Sequence, residues 1–133
     1  MRLQFTPLSS GTGLPVPMPI LPIRLTRGTM TLDAEGLVDS GAMVNVLPFD
    51  LGVRLGLNWK SQTRNMSIGG ALSGPAKGVL LEATVGVFPP VLLAFAWYSS
   101  NDVRLVLGQT NFFQEFDVDF RASHNFFDVR PRP

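Results

Sequence analysis

Gly36-Leu37-Val38-Asp39-Ser40-Gly41-Ala42 is the stretch on which the reading of this chain turns. Two apolar residues make a buried strand that runs into a carboxylate, a hydroxyl and a glycine. Glycine lets the backbone turn sharply with its amides facing inward, and a carboxylate in such a cradle accepts their hydrogen bonds and keeps one orientation. Ser40 can anchor the loop, because a hydroxyl both donates and accepts. Taken alone, Asp-Ser-Gly is ordinary turn chemistry. What surrounds it decides the matter.

On the N-terminal side, Ile20 to Leu25 and Met30 to Leu32 read as strands joined by a turn at Arg27-Gly28, and Gly36 to Val38 as a further strand that delivers Asp39. On the C-terminal side, Val44 to Leu47 is apolar and partly β-branched, which predicts a strand. Pro48 suits the first turn of a short helix, Leu51 and Leu55 fall on one face of it, and Gly56 is placed to end it. Residues 63 to 87 predict a hairpin with a glycine-rich tip around Ile68-Gly69-Gly70-Ala71. Val91 to Ala96 and Arg104 to Leu107 predict strands. Thr110 can cap a second short helix in which Phe112 and Phe116 share a face. Val118 to Phe120 and Phe126 to Val129 complete a mainly β fold with one or two short helices. Residues 1–18, rich in proline and glycine, read as an irregular N-terminal arm, and 19–130 as one domain.

Composition narrows the possible functions. With 133 residues, 45% hydrophobic and 16% charged, the chain can bury a real core. A net charge of +1 without a Lys/Arg stripe argues against nucleic acid. There is no cysteine, which excludes disulfides, thiolate zinc sites and a cysteine nucleophile, and the single His124 cannot build a multi-histidine metal site. The most apolar run, Val91 to Trp97, is far short of the roughly 20 residues that span a bilayer. No signal-peptide pattern stands at Met1, and the expectation is a cytoplasmic protein without a membrane partner.

Four features, in order, resemble the retropepsin-like aspartic proteases, the single-domain family of retroviral and bacterial members. The first is Gly36 to Ala42, followed by Val44-Asn45-Val46-Leu47-Pro48. The second is the short helix and Leu-Gly-Leu exit within Phe49 to Leu57. The third is Ile68-Gly69-Gly70-Ala71, with Gly74 and Gly78 behind it, similar to the flap that closes over substrate. The fourth is Val106-Leu107-Gly108, similar to the element that braces the catalytic loop. The match runs from about residue 20 to about residue 120, and its order and spacing are more specific than any one motif.

The resemblance implies a closed, barrel-like acid protease fold active as a two-fold homodimer on peptide or protein substrates, with no metal or organic cofactor. It makes Asp39 the catalytic carboxylate, supported by Ser40, Gly41 and Ala42. Ile68, Gly69, Gly70 and Ala71 become flap contacts, and Val106, Leu107 and Gly108 the brace. One carboxylate cannot activate water and protonate a carbonyl at the same moment. Two held about 3 Å apart can, because they cannot both ionise. Asp-Ser-Gly occurs once here, so such a pair requires two chains. The alternative is a module of the same fold that dimerises or binds peptides with little or no proteolysis.

The chain also departs from the family. Gln109 stands where many members carry a charged residue, so an ion pair tying the second helix to its surroundings is expected to be missing. In viral members the terminal strands interleave between subunits, and these termini are unlike theirs. Trp97 and Tyr98 read as packing residues near a surface, Phe112, Phe113 and Phe116 as core, and Asp117 and Asp119 as a solvated face.

Overall fold

Alternation of apolar and polar residues from Ile20 onward becomes a long antiparallel pair in the computed structural model, which describes residues 1–9, 11–67 and 74–133. In chain order the strands and helices are β1 (Arg2–Gln4), β2 (Thr6–Ser9), β3 (Pro15–Met18), β4 (Ile20–Arg27), β5 (Met30–Val38), β6 (Asn45–Leu47), α1 (Phe49–Arg54) and β7 (Asn65–Ser67). They continue with β8 (Pro75–Thr84), β9 (Val91–Tyr98), β10 (Val106–Leu107), α2 (Phe112–Glu115), β11 (Phe116–Arg121) and β12 (Phe126–Pro131). Short 3₁₀ turns cover Trp59–Ser61 and Ala122–His124.

The main sheet runs β4-β5-β10-β6-β9-β8-β7, and β4 also pairs with β8, closing six strands into a barrel. Arg27 pairs with Met30 across a two-residue turn in which Gly28 adopts φ +59°, a conformation costly for any other residue. The sequence predicts a break between Leu32 and Gly36, but β5 runs through it. Leu32, Gly36 and Val38 are buried at its core face while Asp33 and Glu35 face solvent.

The barrel interior holds Leu21, Leu25, Leu47, Leu81, Leu93, Phe95 and Leu107, all essentially inaccessible. Trp97 and Tyr98 are buried as well, deeper than the sequence suggests. Phe49 stacks on Trp97 at 5.5 Å and Trp59 meets it edge-on at 5.1 Å, while the indole N–H donates to the Phe49 carbonyl at 3.1 Å. Gly52 of α1 lies flat against this indole, and a Cβ there would overlap it. Phe112 and Phe116 stack at 4.9 Å in the core as expected, although Phe116 already begins β11. Asn111, not Thr110, precedes α2 as its cap.

The N-terminal residues are more regular than the sequence suggests. β1 pairs with β12, and β12 with β11, in a three-stranded sheet. Residues 6 to 18, expected to be irregular, form the hairpin β2–β3. Pro7 faces Pro17 and Ser9 faces Pro15, so prolines occupy alternate pairs. A residue without an N–H fits the pairs that exchange no hydrogen bond, and the hairpin tolerates all three prolines for that reason. Among the described residues no helix is long and apolar enough to cross a membrane.

Two predictions follow from this packing. Gly52→Ala should lower stability by about 1–3 kcal/mol, because the added methyl must displace the Trp97 indole; urea denaturation followed by tryptophan fluorescence measures it. Asp128 accepts both ends of the Arg2 guanidinium at 3.2 Å, and this bond holds its carboxyl below the usual range. A carboxylate depressed in the folded state stabilises above its unfolded pKa of about 4 and loses that contribution as pH falls through the folded value. Amide protection in β1 and β12 should therefore fall below about pH 4, and Asp128→Asn should remove that pH dependence.

Candidate active site

β5 ends at Val38, and the chain turns at once. The Asp39 N–H donates to the Leu107 carbonyl at 3.0 Å, which continues the parallel pairing of Leu37 with Val106 and Val38 with Leu107. The Ala42 N–H returns to the Asp39 carbonyl at 3.1 Å and closes the turn. Within it, the Gly41 N–H donates to Asp39 Oδ1 at 2.9 Å. Gly41 does not need a left-handed φ. It is close approach that favours glycine here, since a Cβ would sit 3.3 Å from that carboxylate oxygen. Asp39 is half-buried, with Ser40 and Gly41 exposed beside it. Among the described residues Oδ2 of Asp39 takes no hydrogen bond, leaving one oxygen held and the other available.

Val106 and Leu107 pair with Leu37 and Val38 beside this turn, and Gly108 follows them. β10 sits between β5 and β6, parallel to the first and antiparallel to the second. Beyond it, the Gln109 N–H donates to the Ala42 carbonyl at 2.9 Å and the Thr110 N–H to the Met43 carbonyl at 3.0 Å. Gly108 is required. A Cβ there would lie 2.5 Å from the Val44 oxygen and 2.8 Å from the Ala42 oxygen, both backbone atoms that cannot move aside.

Two side chains missed by sequence reasoning complete the brace. Asn45 is wholly buried, and its Oδ1 accepts the Gly108 N–H at 2.7 Å. Its Nδ2 donates to the Ala94 carbonyl at 2.9 Å and to Asn111 Oδ1 at 3.3 Å. Asn111 in turn accepts from the Ala94 N–H at 3.0 Å and donates to the Leu92 carbonyl at 3.0 Å. The signal was available: a buried amide between two valines must find partners. The expected loss of an ion pair at Gln109 has a counterpart, because its side-chain amide donates to the Ser40 carbonyl at 2.8 Å and ties the turn down directly.

Two cavities are of interest, and the smaller one reaches the turn. One of about 360 Å³ is lined by Met18, Pro19, Asp39, Ser40, Phe120 and Ala122, among others. The other, about 640 Å³, lies beyond Val44 and Thr110 and is walled by Met66, Gly78, Ala94 and Ala96. The flap residues Ile68, Gly69, Gly70 and Ala71 lie outside the described residues. The hairpin that leads to them is described, with Ser67 pairing Pro75 and the Gly74 N–H donating to the Tyr98 hydroxyl at 2.7 Å.

Comparison with solved structures places this architecture. The chain superposes on the crystal structure of a retropepsin-like aspartic protease from Rickettsia conorii with a TM-score of 0.61, covering 98% of each chain. The fold is retropepsin-like. Identity to that protein is 12%, so the likeness extends to the fold alone. No protein-family model and no curated protein matches the chain. Within the retropepsin-like frame, the turn at the end of β5 and the strand β10 beside it are the elements that hold Asp39.

Asn45→Ala should strand the buried Gly108 N–H and the Asn111 amide. The expected loss is about 1–3 kcal/mol, with greater exchange of the Gly108 amide than of the barrel strands. Hydrogen exchange read residue by residue checks it.

Proposed function

We propose that this chain is half of a homodimeric aspartic endopeptidase, in which Asp39 and its symmetry mate activate one water between them. The observation that carries this reading is the state of Asp39: half-buried, with one oxygen fixed by the Gly41 amide and the other turned to no partner among the described residues. The Gly41 N–H bond is that of an ordinary Asx turn and engages one oxygen only. A carboxylate left half-used, at the rim of a cavity and on a rigid strand end, is positioned for a ligand. The retropepsin-like fold supports the same conclusion.

In this reading the two carboxylates share a proton, because like charges at close range cannot both ionise. The ionised one takes a proton from the water as it attacks the scissile carbonyl. The protonated one donates to the carbonyl oxygen, giving a tetrahedral diol, and the roles reverse when the C–N bond breaks and the amine is protonated. The pair titrates as a unit, so the pH–rate profile belongs to both carboxylates together. Gln109 and Asn45 act as positioning residues, holding Ser40 and Gly108 and through them the aspartate. The larger cavity beyond Val44 would receive substrate side chains, and the β7–β8 hairpin would close above them.

Asp39→Asn removes the carboxylate assigned here as base. Cleavage of a peptide library should fall by about three orders of magnitude or more, with the thermal midpoint unchanged within a few degrees. Pepstatin should inhibit the wild type and find nothing to inhibit in the variant. Wild-type rates from Asp39→Asn would sink the assignment.

A further inference from the structure

The two terminal strands pair with each other within one chain. Met1 and β1 spend their hydrogen bonds on β12: Arg2 pairs with Asp128, Leu3 with Phe127 and Gln4 with Phe126. The N-terminal ammonium donates to the Val129 carbonyl at 2.8 Å, and the Arg2 guanidinium both binds Asp128 and lies 3.9 Å over the Phe126 ring. β12 is central in its sheet, with β11 on its other side, so neither of its edges is open to a second molecule.

A different element is built for contact. The β2–β3 hairpin forms a sheet of its own, and its residues are exposed along nearly their whole length. An isolated two-stranded hairpin is marginally stable in water and normally packs on something. From Phe5 to Ile23 the chain carries no charged residue, although exposed hairpins usually bear charges that keep them apart from other molecules. Pro7, Pro15 and Pro17 direct their missing donors to the outer edges, so added strands are refused there. What the hairpin offers is a face. Leu8 opposes Val16 and Thr6 opposes Met18, which puts Leu8, Val16 and Met18 on one side. Met18 also lines the 360 Å³ cavity that Asp39 and Ser40 border, together with the exposed Phe120.

We propose that the second copy required by the Asp39 site is gripped by this hairpin face and the adjoining Met18–Phe120 depression, and not by exchange of terminal strands. The inference rests on the aspartic protease reading, which demands that a partner's Asp39 approach this side of the turn. Around a two-fold axis the surface nearest the axis must be self-complementary. The uncharged apolar face that continues into the Asp39 cavity meets that demand, whereas the terminal strand β12 already has a neighbour on each side within its own chain.

The test uses the full chain. Leu8→Asp/Val16→Asp, and Val16→Asp alone at its exposed position, are compared with wild type and with Arg2→Ala by sedimentation equilibrium, with near-ultraviolet dichroism reporting the fold. The double variant should weaken the dimer by about tenfold or more, and Arg2→Ala by less than about twofold. Specific activity of the aspartate variants should fall at low enzyme concentration and recover as concentration rises, which damage to the site itself would not produce. Unchanged self-association in both aspartate variants, or dissociation caused by Arg2→Ala, overturns the proposal. So does a wild-type chain that sediments as a monomer at every concentration. Failure of the protease reading looks different: a dimer dispersed by the aspartates that never cleaves peptide.

Discussion

The backbone of Gly108 passes so close to the chain leaving the Asp39 turn that a Cβ would lie within 2.5 Å of one carbonyl oxygen and 2.8 Å of another. Two segments some sixty residues apart in sequence are thereby locked together without an intervening side chain. Asp39, Gln109 and Thr110 then each donate a backbone N–H across the junction. Buried backbone donors and acceptors must be paired, and this crossing pairs them in a short, rigid stretch of chain. The orientation of the Asp39 carboxylate follows from that arrangement rather than from any contact made by the carboxylate beyond Gly41.

Around the crossing, polar satisfaction is complete. Asn45 and Asn111 together engage three backbone amide or carbonyl groups besides the Gly108 N–H, and no buried side-chain nitrogen or oxygen among the described residues lacks a partner. Such networks are worth having only when every member is satisfied, since one orphan in a low-dielectric interior loses more than a good bond gains. Surface ion pairs contribute far less. Arg24 with Asp33 and Arg121 with Asp119 are largely solvated, and water and salt screen pairs of that kind.

Much of this was legible in the sequence, and the reason is physical. Strand alternation, the Asp-Ser-Gly turn and the Val-Leu-Gly brace are local patterns whose meaning depends on few neighbours. The hairpin at residues 6 to 18 was not legible, because proline reads as a strand breaker until its partner strand is known. The two strands expected at Met30 to Leu32 and Gly36 to Val38 are one, since Asp33, Ala34 and Glu35 keep their pairing with β4 and the ladder runs through them. Asn45 and Gln109 stayed hidden for a related reason: each acts on backbone groups brought near only by the closed barrel. The buried depth of Trp97 likewise comes from α1 laying Gly52 across it.

The same separation in sequence has a consequence for the order of events during synthesis. Chains fold from the N-terminus as they emerge, and pairings between distant segments wait for both. The Asp39 turn is made early, yet the carbonyls and amides that hold it belong to residues 107 to 110. Until that part of the chain has left the ribosome, the carboxylate hangs on an unsupported loop and β5 has an open side where β10 will lie. A nascent chain therefore carries the chemical group long before it carries the site.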